Sequence, residues 1–448
     1  SSASSSAAPL PKPPPALVAS AAEMAVVSRM AAAAAAEAQV SNRGAPSLGR
    51  DRTAAPAVEP PNLKVPHGVH AAALEAAATA PEAAASPTLS DLAAAAVAAA
   101  AAAAPSKRPN GVYYHRELLC RSLEGRRVDL ITISGTNGLR AEREPPLGSG
   151  LMPEGGERPR AFSGKTVFVL TARVHPGETP ASHVLDGFLQ FLLRENDPRA
   201  IALRERFVFK LVPMINPDGV FRGHYRADTR GLNLNRCYLT ATPEHHPSVH
   251  AIMVLVRQLH ERGELQFYID THAHASKRGC FLYGNAIQDN EQMIDNVMFA
   301  KLVSANCRWF DFGGCVFSER NMVRKDLRDG LSKEGSGRVA VYKMTGLTHV
   351  YTLECNYNTG RLVNRLQPPH LPRGVDKNAV SPPPPPIRSL SPKYTPECWR
   401  SVGKALALAA LDFISANPCS RLGPPSSGGF TKLRGSVAAW VRTNAKKE

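Results

Sequence analysis

The first 105 residues contain no phenylalanine, tyrosine or tryptophan, and the first aromatic side chain is Tyr113. They contain 40 alanines instead. A stretch without aromatics and with few large aliphatics cannot bury enough apolar area to offset the entropy of ordering it. Composition therefore excludes a single 448-residue globule. Residues 1–106 are expected to be a low-complexity, disordered segment. Its alanine blocks (Ala31–Ala36, Ala71–Ala78, Ala93–Ala104) favour transient helix but have no apolar stripe to dock with.

Other absences narrow the class. None of the eight cysteines form a CxxC pair, and their density is too low for a disulfide scaffold. A reducing compartment is expected, the cytoplasm first, with cytoskeletal, ciliary or nuclear sites open. No run reaches the ~18 apolar residues of a membrane span, so no membrane role is expected. Basic runs are not interleaved with aromatics, which argues against nucleic acid as partner. The chain opens on Ser1, which leaves an upstream segment open.

Charge is unevenly placed. Residues 1–105 carry −1, and the rest carries +17 from 48 basic and 31 acidic residues. A basic folded part steers acidic partners toward it.

From Tyr113 onward the pattern is that of a folded domain. Arg126–Ser134 alternates and is β-branched, which predicts a strand. Lys165–Arg173, Phe207–Met214 and Leu265–Ala273 are near-continuous apolar runs, as in strands buried on both faces. Arg338–Met344 and His349–Glu354 are expected to be two further strands. Helical spacing covers Pro180–Leu193, Val249–His260, Met293–Val303 and Cys398–Ser415. Gly148–Phe162 is expected to be a loop, 381–386 a proline-rich spacer and 422–448 a flexible tail. This alternation predicts an α/β fold, a mixed and mostly parallel sheet flanked by helices, spanning about 163–421.

Polar clusters fall where the strands end, which is where open α/β sheets bind ligands. They are His175-Pro176-Gly177-Glu178, Asn216-Pro217-Asp218-Gly219, Asp270-Thr271-His272-Ala273-His274, and Glu354. Hydrolytic zinc takes three ligands from histidine and carboxylate and keeps one position open. His175, Glu178 and His272 supply such a set, so one Zn2+ is expected. One histidine by itself is more often structural; three donors at strand ends are far less often accidental. Asp270 could orient His272. Glu354, in the apolar context "YTLE", has the surroundings of a general base, although a lone strand-end glutamate is more often a solvated ion-pair partner. The polar stretch Arg222–Tyr238 carries Arg226, Arg230, Asn233, Asn235 and Arg236. Arginine forks there suit carboxylates and oxyanions.

In this order, "ARVHPGET", "PMINPDGVFRGHYR", "LNLNRCY", "DTHAHASKRGCFLYGN" and "YTLECNYNTG" resemble the cytosolic carboxypeptidases of the M14 zinc metallocarboxypeptidase family. The resemblance runs from about Tyr113 to Leu422. It implies the M14 α/β sandwich, with His175, Glu178 and His272 as zinc ligands and Glu354 as general acid/base. It implies Arg226 as the oxyanion-stabilising arginine, and Asn235 and Arg236 as the clamp on the substrate's terminal α-carboxylate. The implied activity is release of C-terminal glutamate, with tubulin or other acidic glutamylated C-termini as partner and polyglutamate side chains, branch points included, as substrate. The basic residue for a glutamate side chain is expected to be Lys343, with Arg338 as rival. Family members carry a β-sandwich domain before the catalytic one; here residues 107–162 are expected to be strands that join on as its remnant. Cys237 beside the clamp departs from the polar residue expected there. Two other readings stay open: a zinc amidohydrolase of the desuccinylase/aspartoacylase type, and an inactive microtubule-binding relative.

Overall fold

A computed structural model describes residues 111–148, 151–152, 156–326, 330–381 and 391–445. The expectation for residues 1–106 and the prolines of the expected spacer lie outside these residues.

Nine strands are described: β1 (Val112–Arg121), β2 (Arg127–Gly135), β3 (Leu139–Arg143), β4 (Arg160–Phe162), β5 (Thr166–Ala172), β6 (Phe207–Val212), β7 (Leu265–His274), β8 (Cys280–Tyr283) and β9 (Val350–Asn356). Seven form one sheet in the order β1-β2-β6-β5-β7-β9-β8. Strands β6, β5, β7 and β9 run parallel, while β1, β2 and β8 are antiparallel to their neighbours. β3 pairs with β4 in a separate ribbon, so the end of the expected loop 148–162 is a strand. β1 and β2 form the edge of this sheet rather than a body of their own.

The long helices are α1 (Thr179–Leu192), α2 (Pro198–Arg206), α3 (Pro247–Glu261), α4 (Asn290–Asn306), α5 (Gly337–Thr345), α6 (Pro396–Phe413) and α7 (Gly429–Ala445). Alternation along each strand sends side chains to both faces. Phe168, Leu170, Phe209 and Leu211 pack with Val184, Phe188, Phe299, Leu406 and Leu411 on one side. Val167, Val169, Val208 and Tyr268 pack with Ile252, Val256, Ala340 and Val350 in the second core. Helices α1, α4 and α6 thus cover one face and α3 and α5 the other. Among the described residues no helix is long and apolar enough to cross a membrane.

Two expectations are corrected. Arg338–Met344 is the helix α5, not a strand. Its residues Val339, Ala340 and Val341 are all buried in succession, and Gly346 ends it at φ 65°, with its N–H donating to the Tyr342 carbonyl at 2.8 Å. A left-handed glycine is a strong helix stop, and it outweighs the short period-2 pattern. The expected flexible tail contains α7, which buries Val437 and Val441 in the first core. Trp440 sits 5.6 Å from the Phe312 ring, and Arg434 pairs with Asp295 and Glu291 of α4.

Candidate metal centre and active site

The site forms where β5, β7 and β9 end. β5 stops at Ala172, and Arg173 takes φ 62°, a left-handed backbone rare for a non-glycine residue. Its buried guanidinium staples the turn, donating from Nε to the Pro176 carbonyl at 3.1 Å and from Nη1 to Ser182 Oγ at 2.8 Å. That turn aims His175 and Glu178 at one point. A Cβ on Gly177 would lie 2.8 Å from the Tyr225 ring, and the Gly177 N–H donates to the Tyr225 carbonyl at 2.8 Å. Glycine there lets the loop carrying Arg226 lie against the turn.

His272 reaches the same point from the end of β7. Its Nδ1 is 3.2 Å from His175 Nδ1 and 3.0 Å from Glu178 Oε2. Glu178 Oε1 is 2.8 Å from His175 Nδ1. The far nitrogens are held: His272 Nε2 against Asp270 Oδ2 at 2.7 Å, and His175 Nε2 against Asn233 Oδ1 at 3.0 Å. With Nε2–H donating outward on both rings, both Nδ1 lone pairs face inward. Asn233 was named in the sequence only as part of a polar loop; its role here depends on folding and carries no local signal.

The donor set fits a zinc ion: two imidazole nitrogens and a carboxylate oxygen, all buried and mutually within 4.8 Å. Electrostatics favour positive charge at this point. Burial pulls the His272 pKa down, but Asp270 and Glu178 outweigh it and hold it well above the ordinary value. Burial pushes Glu178 up, but His175 and His272 outweigh that and hold it well below the usual carboxylate range. Burial lowers His175, against the pull of Glu178.

Glu354 lies on β9 as the register partner of His272. Its Oε2 is enclosed and has no hydrogen-bond partner among the described residues. Burial, reinforced by Glu178, pushes its pKa up to about 7, against His272, Lys333 and Arg226. Arg226 Nη1 lies 3.9 Å from Glu178 Oε1, and Asn235 Nδ2 lies 3.5 Å from His272 Nε2. Asn235 Oδ1 accepts from Gly337 N–H at 3.0 Å. Arg226 and Arg236 both donate to Asp326 Oδ2, at 3.0 and 2.7 Å. Asp326 carried no signal in the sequence, because its partners are 100 and 90 residues away.

Six expected residues therefore gather around the metal triad or its arginines, together with Glu354. Lys343 does not. Five positions after Arg338 on a helix, it faces away, with its side chain 45% exposed and Nζ 2.5 Å from Glu334. The strand expectation had given it the wrong face. Its rival Arg338 is 3% exposed and donates to Gly284 O, Asn285 Oδ1 and Asn321 Oδ1. Burial lowers its pKa to about 10, against Tyr283 and Glu354. Lys333 lies within the electrostatic reach of Glu354, Arg338, Arg236 and Asp326. Lys277 Nζ donates to Gly314 O at 2.6 Å and also senses Glu354.

The cluster Asn216–Gly219 is scaffold. Asn216 Oδ1 caps the turn by accepting from Gly219 N–H at 2.9 Å, and Asp218 accepts from Ser122 Oγ and Arg126 near the β1–β2 turn. Cys237 is partly buried with its thiol against the Asn233 carbonyl at 3.5 Å, and burial raises its pKa. All eight cysteines are free thiols.

Comparison with known proteins agrees with this geometry. The family model for zinc carboxypeptidases (peptidase family M14) matches residues 109–354. The chain is 42% identical to cytosolic carboxypeptidase-like protein 5 of Danio rerio over 75% of its own length and 48% of the relative's. It is 41% identical to the Homo sapiens protein of that name, over 74% and 46%. It is 33% identical to cytosolic carboxypeptidase 6 of Homo sapiens, over 70% and 52%. The chain thus spans about half the length of the curated relatives it matches. A crystal structure of a metallo-carboxypeptidase from Burkholderia cenocepacia is similar with a TM-score of 0.49 and 19% identity, over 73% of this chain and 69% of that one. With the family match spanning more than half its length, the chain belongs to the M14 zinc carboxypeptidases.

Proposed function

We propose that this chain is a zinc metallocarboxypeptidase that releases glutamate from acidic protein C-termini, with the polyglutamate side chains of tubulin, branch points included, as its substrate class. The observation that carries the reading is the convergence of three groups of different chemistry: the His175–Glu178–His272 triad, the enclosed Oε2 of Glu354 that has no hydrogen-bond partner among the described residues, and two arginines meeting at one carboxylate.

His175, Glu178 and His272 would hold the zinc, which when bound supplies a Lewis acid that polarises the scissile carbonyl. Glu354 takes a proton from water and returns it to the leaving amine; a pKa near 7 suits both directions. Arg226, half-buried beside the site, stabilises charge that develops on the carbonyl oxygen. Asn235 and Arg236 bind the terminal α-carboxylate, which restricts cleavage to chain ends. Arg338, in place of Lys343, is the buried cation for the side chain of a terminal glutamate, and Lys333 adds charge beside it. The net +17 of residues 106–448 attracts acidic tails to the mouth of the site.

The test uses purified protein with its metal quantified. It is given synthetic peptides ending in α-linked polyglutamate or in a γ-linked branch glutamate, with chelator and Glu354→Ala as controls. Zinc-dependent release of free glutamate is expected. Bound zinc with no release from either peptide overturns the reading.

A further inference from the structure

Asp326 is the residue at the site to which the reading above gives no role. Its Oδ2 accepts from Arg226 Nη2 at 3.0 Å and from Arg236 Nη2 at 2.7 Å. The side chain is 15% exposed, and its backbone is hydrogen-bonded to residues 330 and 331. Asp326 N–H donates to the Leu331 carbonyl at 2.9 Å, Gly330 N–H donates to the Asp326 carbonyl at 2.9 Å, and Lys325 bridges to Ser332.

We propose that Asp326 is an internal place-holder for the substrate's terminal carboxylate: it occupies the arginine donors in the free enzyme and is displaced when a C-terminus binds. The inference rests on the reading of Arg226 and Arg236 as substrate-facing groups. Two guanidinium groups pointed at one spot repel unless an anion lies between them. A carboxylate is the shape that an arginine fork recognises, whether it belongs to an aspartate or to a chain end. Asp326 therefore keeps the arginines converged and offsets part of their charge, at a cost. The site is binding-competent only in the fraction of molecules in which Asp326 has let go, and apparent affinity falls by that fraction.

A purely positioning role predicts the opposite sign. If Asp326 only holds the arginines, removing its charge loosens them and weakens binding. If it competes, removing its charge strengthens binding. The sign separates the two.

The experiment uses the full, zinc-loaded chain in a Glu354→Gln background, so that peptides are bound but not consumed. Calorimetry measures binding of a glutamate-terminated peptide and of the same peptide with an amidated C-terminus. Asp326→Asn, nearly isosteric, is expected to bind the free-carboxylate peptide about fivefold tighter, and the amidated one as the parent does. Asp326→Glu, which keeps a competing carboxylate, is expected to bind both as the parent does. Zinc content and melting temperature report on folding; should Asp326→Asn not fold, Asp326→Ser carries the same expectation. Weaker binding by Asp326→Asn overturns the place-holder, and so does an equal gain for the amidated peptide, which would be a general charge effect. A parent protein that does not distinguish the two peptides refutes the clamp reading itself, and the place-holder with it. A parent that does distinguish them leaves the clamp standing whatever the variants do.

Discussion

The Nδ1 atoms of His175 and His272 lie 3.2 Å apart, brought together from positions 97 residues apart in the chain. Two inward lone pairs beside Glu178 make a point where a cation is held, by a proton or by a metal. The His272 pKa is raised well above its ordinary value near 6.5, so the metal-free protein gains stability from that proton below pH ~6.5 and loses it as pH rises through the raised value. Zinc must displace the same proton, so its affinity rises with pH. The melting-temperature increase on adding zinc is therefore expected to grow as pH is raised from about 6 to 8, and a hundredfold excess over Kd adds about 2.7 kcal/mol. His272→Gln is expected to lose both this increase and its pH dependence. Scanning calorimetry with chelator and with zinc checks it; a zinc effect independent of pH counts against the assignment.

Glu354 gives a second expectation. Its buried Oε2 has no hydrogen-bond partner among the described residues, so that oxygen is not held for structure. Glu354→Gln is expected to reduce turnover by about 10²–10⁴-fold while leaving zinc content as in the parent. Burial raises the pKa from an ordinary 4.5 to about 7, so folding binds an extra proton in that window and stability falls as pH rises from about 4.5 to 7. In the metal-free protein the Gln variant is therefore expected to be the more stable of the two at pH 8 and not at pH 4. Parallel denaturation curves at the two pH values decide this.

The choice between Arg338 and Lys343 is tested by exchanging their fates. Lys343→Glu removes an exposed, solvent-screened ion pair with Glu334, which contributes little, and is expected to leave glutamate preference intact. Arg338→Lys keeps the charge but loses the fork that reaches Gly284, Asn285 and Asn321. It is expected to raise KM for glutamate-terminated peptides by about tenfold and to lower stability by about 1–3 kcal/mol, because buried acceptors lose their donor. Loss of glutamate preference in Lys343→Glu would restore Lys343 to the pocket.

The sequence was legible where one residue's neighbours in the chain are also its neighbours in space. Strands β5, β6, β7 and β9 are buried on both faces and read as apolar runs, and the residues at their ends read as a site. His175 and Glu178 share one turn, which fixes their relation within four residues. Asp270 and His272 share one strand face, so their pairing was also visible. Gly337–Thr345 was misread because Val339, Val341 and Tyr342 give a β-like texture over a stretch too short for periodicity to decide; Gly346 was the overlooked stop. That error moved Lys343 into the pocket. The helix Gly429–Ala445 was missed because Pro, Ser and Gly precede it, while its anchor Trp440 meets Phe312 and Phe317 from far away in sequence. Asp326 was missed for the same reason: nothing local marks an aspartate that bridges two arginines about a hundred residues upstream.

Helices α1 and α6 supply the last expectation, because they cross at two glycines. A Cβ on Gly403 would lie 1.9 Å from the Val184 carbonyl oxygen and 2.8 Å from the Phe188 nitrogen, and one on Gly187 would lie 2.2 Å from the Arg400 carbonyl oxygen. These obstacles are backbone, which cannot swing aside, so the helices must separate along a core that includes Val184, Phe188, Val402 and Leu406. Alanine gains about 1 kcal/mol over glycine in helix propensity. Overpacking costs about 1–3 kcal/mol even where side chains can yield, so the clash wins. Gly403→Ala and Gly187→Ala are each expected to lower the urea midpoint. Gly435, in α7, is the control: it is helical, exposed, and a Cβ there would meet nothing within 4 Å. Gly435→Ala is expected to raise stability by up to about 1 kcal/mol from propensity and reduced unfolded-state freedom. If all three substitutions raise the midpoint, propensity rather than the close crossing governs these positions, and the account of how α1 and α6 pack is wrong.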